Sequence, residues 1–348
     1  MIATRREFIA GGCCAAALVG GRVGAAQFAV GGTATVTRLD LAKIDRERIL
    51  AGAATALGRT PAATIDPASD AFLQMTLDVP ALAAAAQIDA ESDAKYGAKA
   101  SATLAAWFGK SAKLEISGWE DLLGFAALAE VAGSLAFLTL DAAVVDGTKA
   151  WFKQYLAFLT GNEEAGLARD AKDGNGASWL LQVAAFSKLL GDDAELERAR
   201  VRYRHAELRA EINADGFFPG DLKSANPFRN SLTSLDMLAG VCVLGSTRFE
   251  SLWDVELQDG PGMRAAVARH VPYMARPETW PYPADASHFS ELPGRRPVLA
   301  LAARAYAQPE YAALFLKLKD VTDPDLLRSM PIRQPLLWVA VPRRRVAG

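Results

Sequence analysis

From residue 40 onward, apolar side chains return every three or four positions, and no stretch alternates apolar and polar residues for long. That period is the helical one, and a strand needs the two-residue alternation that is missing. The chain is therefore constrained to pack helix on helix. About one residue in five is Ala, the residue that costs least in a helix interior.

Turn residues divide this pattern into segments. Leu41 to Leu57 places Leu41, Ile44, Ile49 and Leu50 among charges, and Thr60-Pro61 and Asp66-Pro67 end it as a loop. Val79 to Phe108 reads as two Ala-rich helices, with Pro80 in the first turn of one of them. Gly118 to Leu138 and Asp141 to Leu159 form a helical hairpin, and in the second of these Trp151, Tyr155, Phe158 and Leu159 share one face that reads as core. Gly174 to Leu190 stops at Gly191. Asp192 or Asp193 caps the next helix, which runs to about Ile212. Further helices are expected over Ser231 to Leu244, Pro261 to Met274, Pro297 to Ala307, Pro309 to Lys319 and Pro324 to Ser329. Between the second and third of these lies an aromatic, Pro-rich loop, Arg276 to Pro297. Short turns between helices suit a bundle, a solenoid or an α/α toroid. The lack of a fixed-period repeat counts against the solenoid.

Composition excludes several classes of function. The 348 residues are 51% hydrophobic and 22% charged, enough for a large core, and the net charge of -2 offers no basic face for nucleic acid. Three cysteines make no disulfide framework and no paired zinc spacing. The last of them, Cys242, lies in an apolar helix and is expected to be buried. Three histidines rule out a His-rich metal site, and no cofactor motif is present: neither a P-loop, nor a dinucleotide fingerprint, nor a Gly-x-Ser-x-Gly elbow. His205 is expected on a surface and His270 near a helix end, where it would complement the dipole.

Residues 1–26 read as an export signal. Arg5-Arg6 precede an apolar run, Ile9 to Val19, and Val23-Gly24-Ala25-Ala26 supplies small residues for cleavage. The paired arginines make it similar to a twin-arginine signal, so a periplasmic or secreted protein of 322 residues is expected after cleavage at Ala26. The run is too short for a membrane span of about 20 residues. Residues 40–340 then form a single domain, with a basic tail, Arg343-Arg344-Arg345, that reads as a solvated end. Nothing in the sequence sets an oligomeric state.

The stretch Asp173-Gly174-Asn175-Gly176-Ala177-Ser178-Trp179 opens an apolar helix from a polar turn. Such a helix start presents free N–H groups to an anion, for example a carboxylate, although a plain cap has the same appearance. Together with the following Gln182-Val183-Ala184-Ala185, it resembles the alginate lyase domain of polysaccharide lyases, in which Asn-Asn-His-Gly-Ser/Thr opens a helix continuing into Gln-Val-Ala-Ala. Four more segments are similar in the same order: Ile212 to Pro219, Leu232 to Leu238, Leu252-Trp253-Asp254 with Asp259 to Met263, and Arg333 to Trp338.

The resemblance implies an all-α fold, an incomplete α/α toroid of antiparallel helical hairpins. It also implies an acidic polysaccharide or oligosaccharide as partner, cleaved by β-elimination at a uronate. In that chemistry the substrate carboxylate is neutralised, a base takes the C5 proton and an acid protonates the leaving O4. The family's catalytic His and Tyr fall on Gly176 and Asn230, its first Asn on Gly174 and its second on Asn175, and its Arg on Lys223 or Ser224 with Arg229 as a displaced substitute. The stretch Gly109 to Asp121 is short where the family has a longer substrate-lining segment. Two readings follow. In one, the enzyme uses a relocated base from the aromatic loop (His288, Tyr282 or Glu291), with Lys223 or Arg229 for the carboxylate. In the other, an inactive relative binds a saccharide or partner through the same cleft, using Asn175 and Asn230, with Trp179, Trp280 and Tyr282 as stacking surfaces. A helical scaffold without a sugar cleft is the third possibility.

Overall fold

The computed structural model describes residues 39–63, 66–109 and 121–342, and the regular segments among them are helical apart from one isolated bridge between Glu256 and Gly262. The export signal of residues 1–26, the stretch 110–120 and Arg343-Arg344-Arg345 lie outside the described residues.

The main helices in chain order are α1 (Arg46–Gly58), α2 (Asp70–Ile88), α3 (Asp93–Phe108), α4 (Leu128–Ser134), α5 (Ala142–Gly161), α6 (Glu163–Arg169) and α7 (Gly174–Leu190). They are followed by α8 (Asp193–Arg202), α9 (Pro227–Gly245), α10 (Met263–Ala275), α11 (Pro297–Tyr306), α12 (Pro309–Lys317), α13 (Pro324–Arg328) and α14 (Pro335–Val339). Six of them form an inner ring, since α2 packs on α4, α4 on α7, α7 on α9, α9 on α11, α11 on α14, and α14 back on α2. The others lie against this ring as hairpin partners: α1 and α3 on α2, α5 and α8 on α7, α10 on α9 and α12 on α11. The ring closes through its last inner member, α14, although that helix is only five residues long.

The inner helices show why the sequence reads as it does. Ring helices are covered on every side, so α7 is buried from Gly176 to Ser187 and shows little amphipathicity. The same covering explains α2, a helix with the length and apolarity of a membrane span whose surface is taken up by packing. In α5 the stripe Trp151, Tyr155 and Leu159 is buried as expected, with Tyr155 donating to Gln182 of α7 at 2.7 Å.

Three boundaries differ from the sequence expectation. First, α2 begins at Asp70, capped by Ser69, and runs straight through Pro80. Proline removes an N–H from the helix ladder and frees the carbonyl four residues earlier, that of Thr76. Here the buried Arg333 supplies the missing donor, reaching Thr76 O at 3.4 Å and its Oγ1 at 3.0 Å. Second, α9 begins at Pro227, not Ser231, because Asp285 accepts the N–H groups of Phe228 and Arg229 from 57 and 56 residues away. Third, the expected helix ending at Leu138 is a broken run, with 3-10 turns at Phe125–Ala127 and Leu135–Phe137 on either side of α4.

The ring is closed by one buried carboxylate. Glu130 of α4 accepts the N–H of Arg333 at 2.9 Å, that of Gln334 at 2.8 Å and the Trp338 indole at 3.1 Å, so it serves as the anionic cap of α14. Burial alone pushes its pKa up, against those donors.

Candidate functional site

The N-terminus of α7 is not free to take an external anion. Asp173 caps it by accepting Asn175 N at 3.0 Å, Asp221 accepts Gly174 N at 3.0 Å, and Glu211 accepts Ala177 N at 3.0 Å. The N–H of Gly176 bonds back to Asp173 O. All four N–H groups of the first turn are thus satisfied, three of them by the chain's own carboxylates. This corrects the sequence expectation of free donors, and of its two alternatives the plain cap is the one observed.

Those carboxylates also explain the glycine at the family's His position. A Cβ on Gly176 would stand 2.8 Å from Ala171 O, 2.8 Å from Glu207 Oε1 and 2.9 Å from Glu211 Oε1. No imidazole has room there. Glu207 and Glu211 are fully buried on the turn after α8, which is wound as a π-helix over Tyr203–Glu207. Glu207 pairs with Arg202 at 3.1 Å. Desolvation holds Glu211 well above the usual carboxylate range, reinforced by Glu207 and Asp221 nearby, and it raises Glu207 against the pull of Arg202. Burial lifts Asp221 to about 6, although Ser234 and Gly174 N both donate to it.

Beside this acidic knot lies an open cleft. One hollow of about 430 Å³ is lined by Leu123, Gly124, Arg229, Asn230, Thr233, Asp325, Arg328 and Ser329. A smaller one, about 60 Å³, is lined by Leu123, Asp173, Gly174, Asn175, Asp221, Ser224, Asn230 and Thr233. They share Leu123, Asn230 and Thr233 and form one depression. Three residues singled out in the sequence, Asn175, Arg229 and Asn230, therefore meet here.

The cleft's two arginines differ. Arg328 is engaged by Asp70 and by Ser69 O. The Arg229 guanidinium bonds only to Ser287, at 3.2 Å to its Oγ, and its buried Nε has no partner among the described residues. Arg328 and Asp325 carry no mark in the sequence, whereas Ser224, the alternative to Lys223 for the family's Arg, lines the smaller hollow. Arg328 and Asp325 come from α13, about 100 residues from Arg229, and no local signal marks them.

The remaining candidates lie elsewhere. Lys223 is exposed and does not line the cleft, whereas its neighbour Ser224 does. Trp179 is 5% exposed, donates its indole N–H to Leu159 O at 2.8 Å and lies under Arg202, so it offers no face to a sugar. Trp280 is buried among Phe217, Phe228, His270 and Tyr273, which removes it too as a stacking surface. Tyr282 is half-buried and packs edge-on against Phe217 in the same cluster, outside the cleft lining. His270, expected at a helix end, is fully buried there instead. Its Nδ1 faces Ala266 O at 2.9 Å, and burial pushes its pKa down to about 4. Cys242 is buried as expected, 3.0 Å from the Tyr203 hydroxyl, with its pKa pushed up to about 12 by burial.

His288 stands next to the cleft residue Asp325, in a left-handed conformation, φ 58°. Its Nδ1 is 3.3 Å from Glu291 Oε2 and its Nε2 3.9 Å from Asp323 Oδ1. With Asp325 added, three ligand-type atoms lie within 4.8 Å of one another, the arrangement here most suited to a cation. Glu291 lines a separate hollow with Lys317, Lys319 and Asp323. Of the three proposed relocated bases, His288 alone adjoins a cleft residue, Asp325.

The sequence profile of the alginate lyase family matches residues 53–280, well over half of the chain. Among solved structures, the chain is similar to the crystal structure of an alginate lyase from Bacteroides ovatus. The TM-score is 0.69 at 18% identity, covering 81% of this chain and 91% of that one, a likeness that shows the shared fold. No curated protein sequence matches. A ring of helical hairpins, with a cleft beside the opening of α7 and a profile match across it, places this chain in the alginate lyase family.

Proposed function

We propose that this protein binds a uronate-containing oligosaccharide in the cleft between Asn175 and Arg229. The carrying observation is the Arg229 guanidinium, which lines the cleft without an ion pair among the described residues and bonds there to Ser287. A carboxylate is the group that matches a guanidinium edge, and a charge-assisted pair is the strong form of hydrogen bond. Asn230 beside it and Asn175 across the hollow add amide donors and acceptors suited to sugar hydroxyls.

Binding is favoured over turnover by what stands at the two proton-transfer positions. Gly176 and Asn230 carry no ionisable group, and the acidic knot fills the place of an imidazole. Losing a positioned acid or base removes a factor of about 10²–10⁴ in rate. The second reading, β-elimination with a relocated base, is favoured by the position of His288 next to the cleft residue Asp325. Export by the twin-arginine route, which the Arg5-Arg6 motif supports, belongs to the same proposal and would place the protein among extracytoplasmic polysaccharides.

Calorimetry with mannuronate and guluronate oligomers tests the binding reading, alongside the ultraviolet absorbance of the unsaturated uronate product. Saturable binding without product supports an inactive binder. Product formation that disappears in His288→Ala supports the relocated base. Absence of both binding and product refutes both readings.

A further inference from the structure

At the end of the ring opposite the cleft, near the C-terminus of α7, lies a second cavity of about 440 Å³. It is about 20 Å from Asn175 along that helix, at 1.5 Å per residue. Four ring helices line it: α4 through Ala132 and Gly133, α7 through Ala185 and Leu189, α9 through Val243 and Leu244, and α14 through Leu337 and Trp338. Val243, Leu244, Leu189 and Trp338 remain partly exposed, so the cavity is an apolar depression open to solvent.

Its exposed charged groups are few and of one sign. Lys149 on α5 and Lys188 on α7 are both exposed at the lining, and neither forms an ion pair or hydrogen bond among the described residues. The carboxylate in the wall, Glu130, is buried and already accepts three N–H donors from the Arg333–Trp338 segment. Pro342 also lines the cavity. An apolar cavity of this size, bordered by unpaired cations, is complementary to a molecule with an apolar body and an anionic head.

We propose that this end of the ring is a binding site for a single-chain anionic amphiphile, with its hydrocarbon chain in the cavity and its carboxylate between Lys149 and Lys188. The site is independent of the oligosaccharide cleft, and its occupancy does not depend on that reading.

The test uses the full chain and dodecanoate below its micellar concentration, measured by calorimetry. Dodecanoate is expected to bind at one site, at least about tenfold more tightly than dodecyltrimethylammonium, which has the same tail and the opposite charge. Lys149→Glu with Lys188→Glu is expected to weaken dodecanoate by about tenfold or more while leaving the melting temperature in place. Gly133→Leu should weaken both amphiphiles, because a Cβ at Gly133 meets no atom within 4 Å and the side chain can extend into the cavity mouth. Equal affinity for the two head groups, indifference to charge reversal, or no binding of dodecanoate would each overturn the proposal.

Discussion

Glu211 accepts the backbone N–H of Ala177 at 3.0 Å, and its Oε1 occupies the space that a side chain on Gly176 would need. The position to which the resemblance assigns an imidazole is thus built over, not merely vacant. Gly176→His is expected to gain no lyase activity and to lose stability. Even Gly176→Ala forces contacts under 3 Å with a backbone carbonyl and two buried carboxylates, at a cost of about 1–3 kcal/mol. Urea unfolding of the two variants checks this, and an unchanged midpoint for Gly176→Ala would contradict it.

The same acidic knot makes stability depend on pH. A carboxyl whose pKa is higher in the folded than in the unfolded chain holds its proton more tightly when folded. Its contribution is complete below the unfolded value and is lost as pH rises through the folded one. Asp221 and the buried Asp236 are both raised to about 6, and Glu207 and Glu211 are raised with them. The melting temperature is therefore expected to fall between about pH 5 and about pH 8. Glu211→Gln, which keeps an acceptor for Ala177 N, should flatten that fall and stabilise the protein at the alkaline end by on the order of 1 kcal/mol or more. A variant with the original slope would show that Glu211 does not carry the effect.

Arg229→Ala should weaken oligosaccharide binding by about ten- to a hundredfold, the 1.5–3 kcal/mol of a hydrogen bond to a charged group. Arg229→Lys should recover only part of it, because an ammonium lacks the planar fork. Its backbone N–H remains bonded to Asp285 in both variants, so the fold is not at stake. Titration calorimetry of the three proteins separates these outcomes, and equal affinity for Arg229→Ala would remove Arg229 from the site.

Arg333 and Pro80 should be energetically coupled. Arg333→Met leaves the Thr76 carbonyl buried and unpaired beside Pro80, at about 1–3 kcal/mol or more. In a Pro80→Ala background the helix ladder supplies its own N–H, so the same substitution should cost less. A double-mutant cycle in denaturant measures the difference, and strict additivity would refute the coupling.

How much of this the sequence disclosed depended on whether the partner of each residue was nearby. The start of α7 at Gly174, its stop at Gly191 and the Trp151 stripe are set within a turn or two and agree with the sequence expectation, and of Asp192 and Asp193 the first is the cap. The donors at the opening of α7 are not free as expected, because Glu211 and Asp221, which take two of them, stand 34 and 47 residues away. Pro80 was misread because the donor that lets a helix tolerate it stands 257 residues away in Arg333. The start of α9 was placed late because its cap, Asp285, lies in the aromatic loop. Asn175, Arg229 and Asn230, which line adjoining hollows, stand at positions that the resemblance marks. Arg328 and Asp325 reach the cleft from α13 with no such mark. Trp179 and Trp280 were assigned to sugar stacking from residue type, but an aromatic ring on a ring helix or in a Phe-rich loop is more valuable to the core.

The Glu130 cap of α14 has a consequence for how the chain is made. Residues 333 to 338 bond to a carboxylate some 200 positions earlier, and Arg333 also reaches back to α2. The inner helices α2 and α4 are left without this neighbour until residues 333 to 338, some 200 positions later in the chain, have been made. Two apolar helices, α2 and α4, must then wait with an open flank, a state prone to aggregation in large chains that fold late. A chain cut before Ile332 would be an arc with two uncovered apolar ends, where the complete chain has a closed ring.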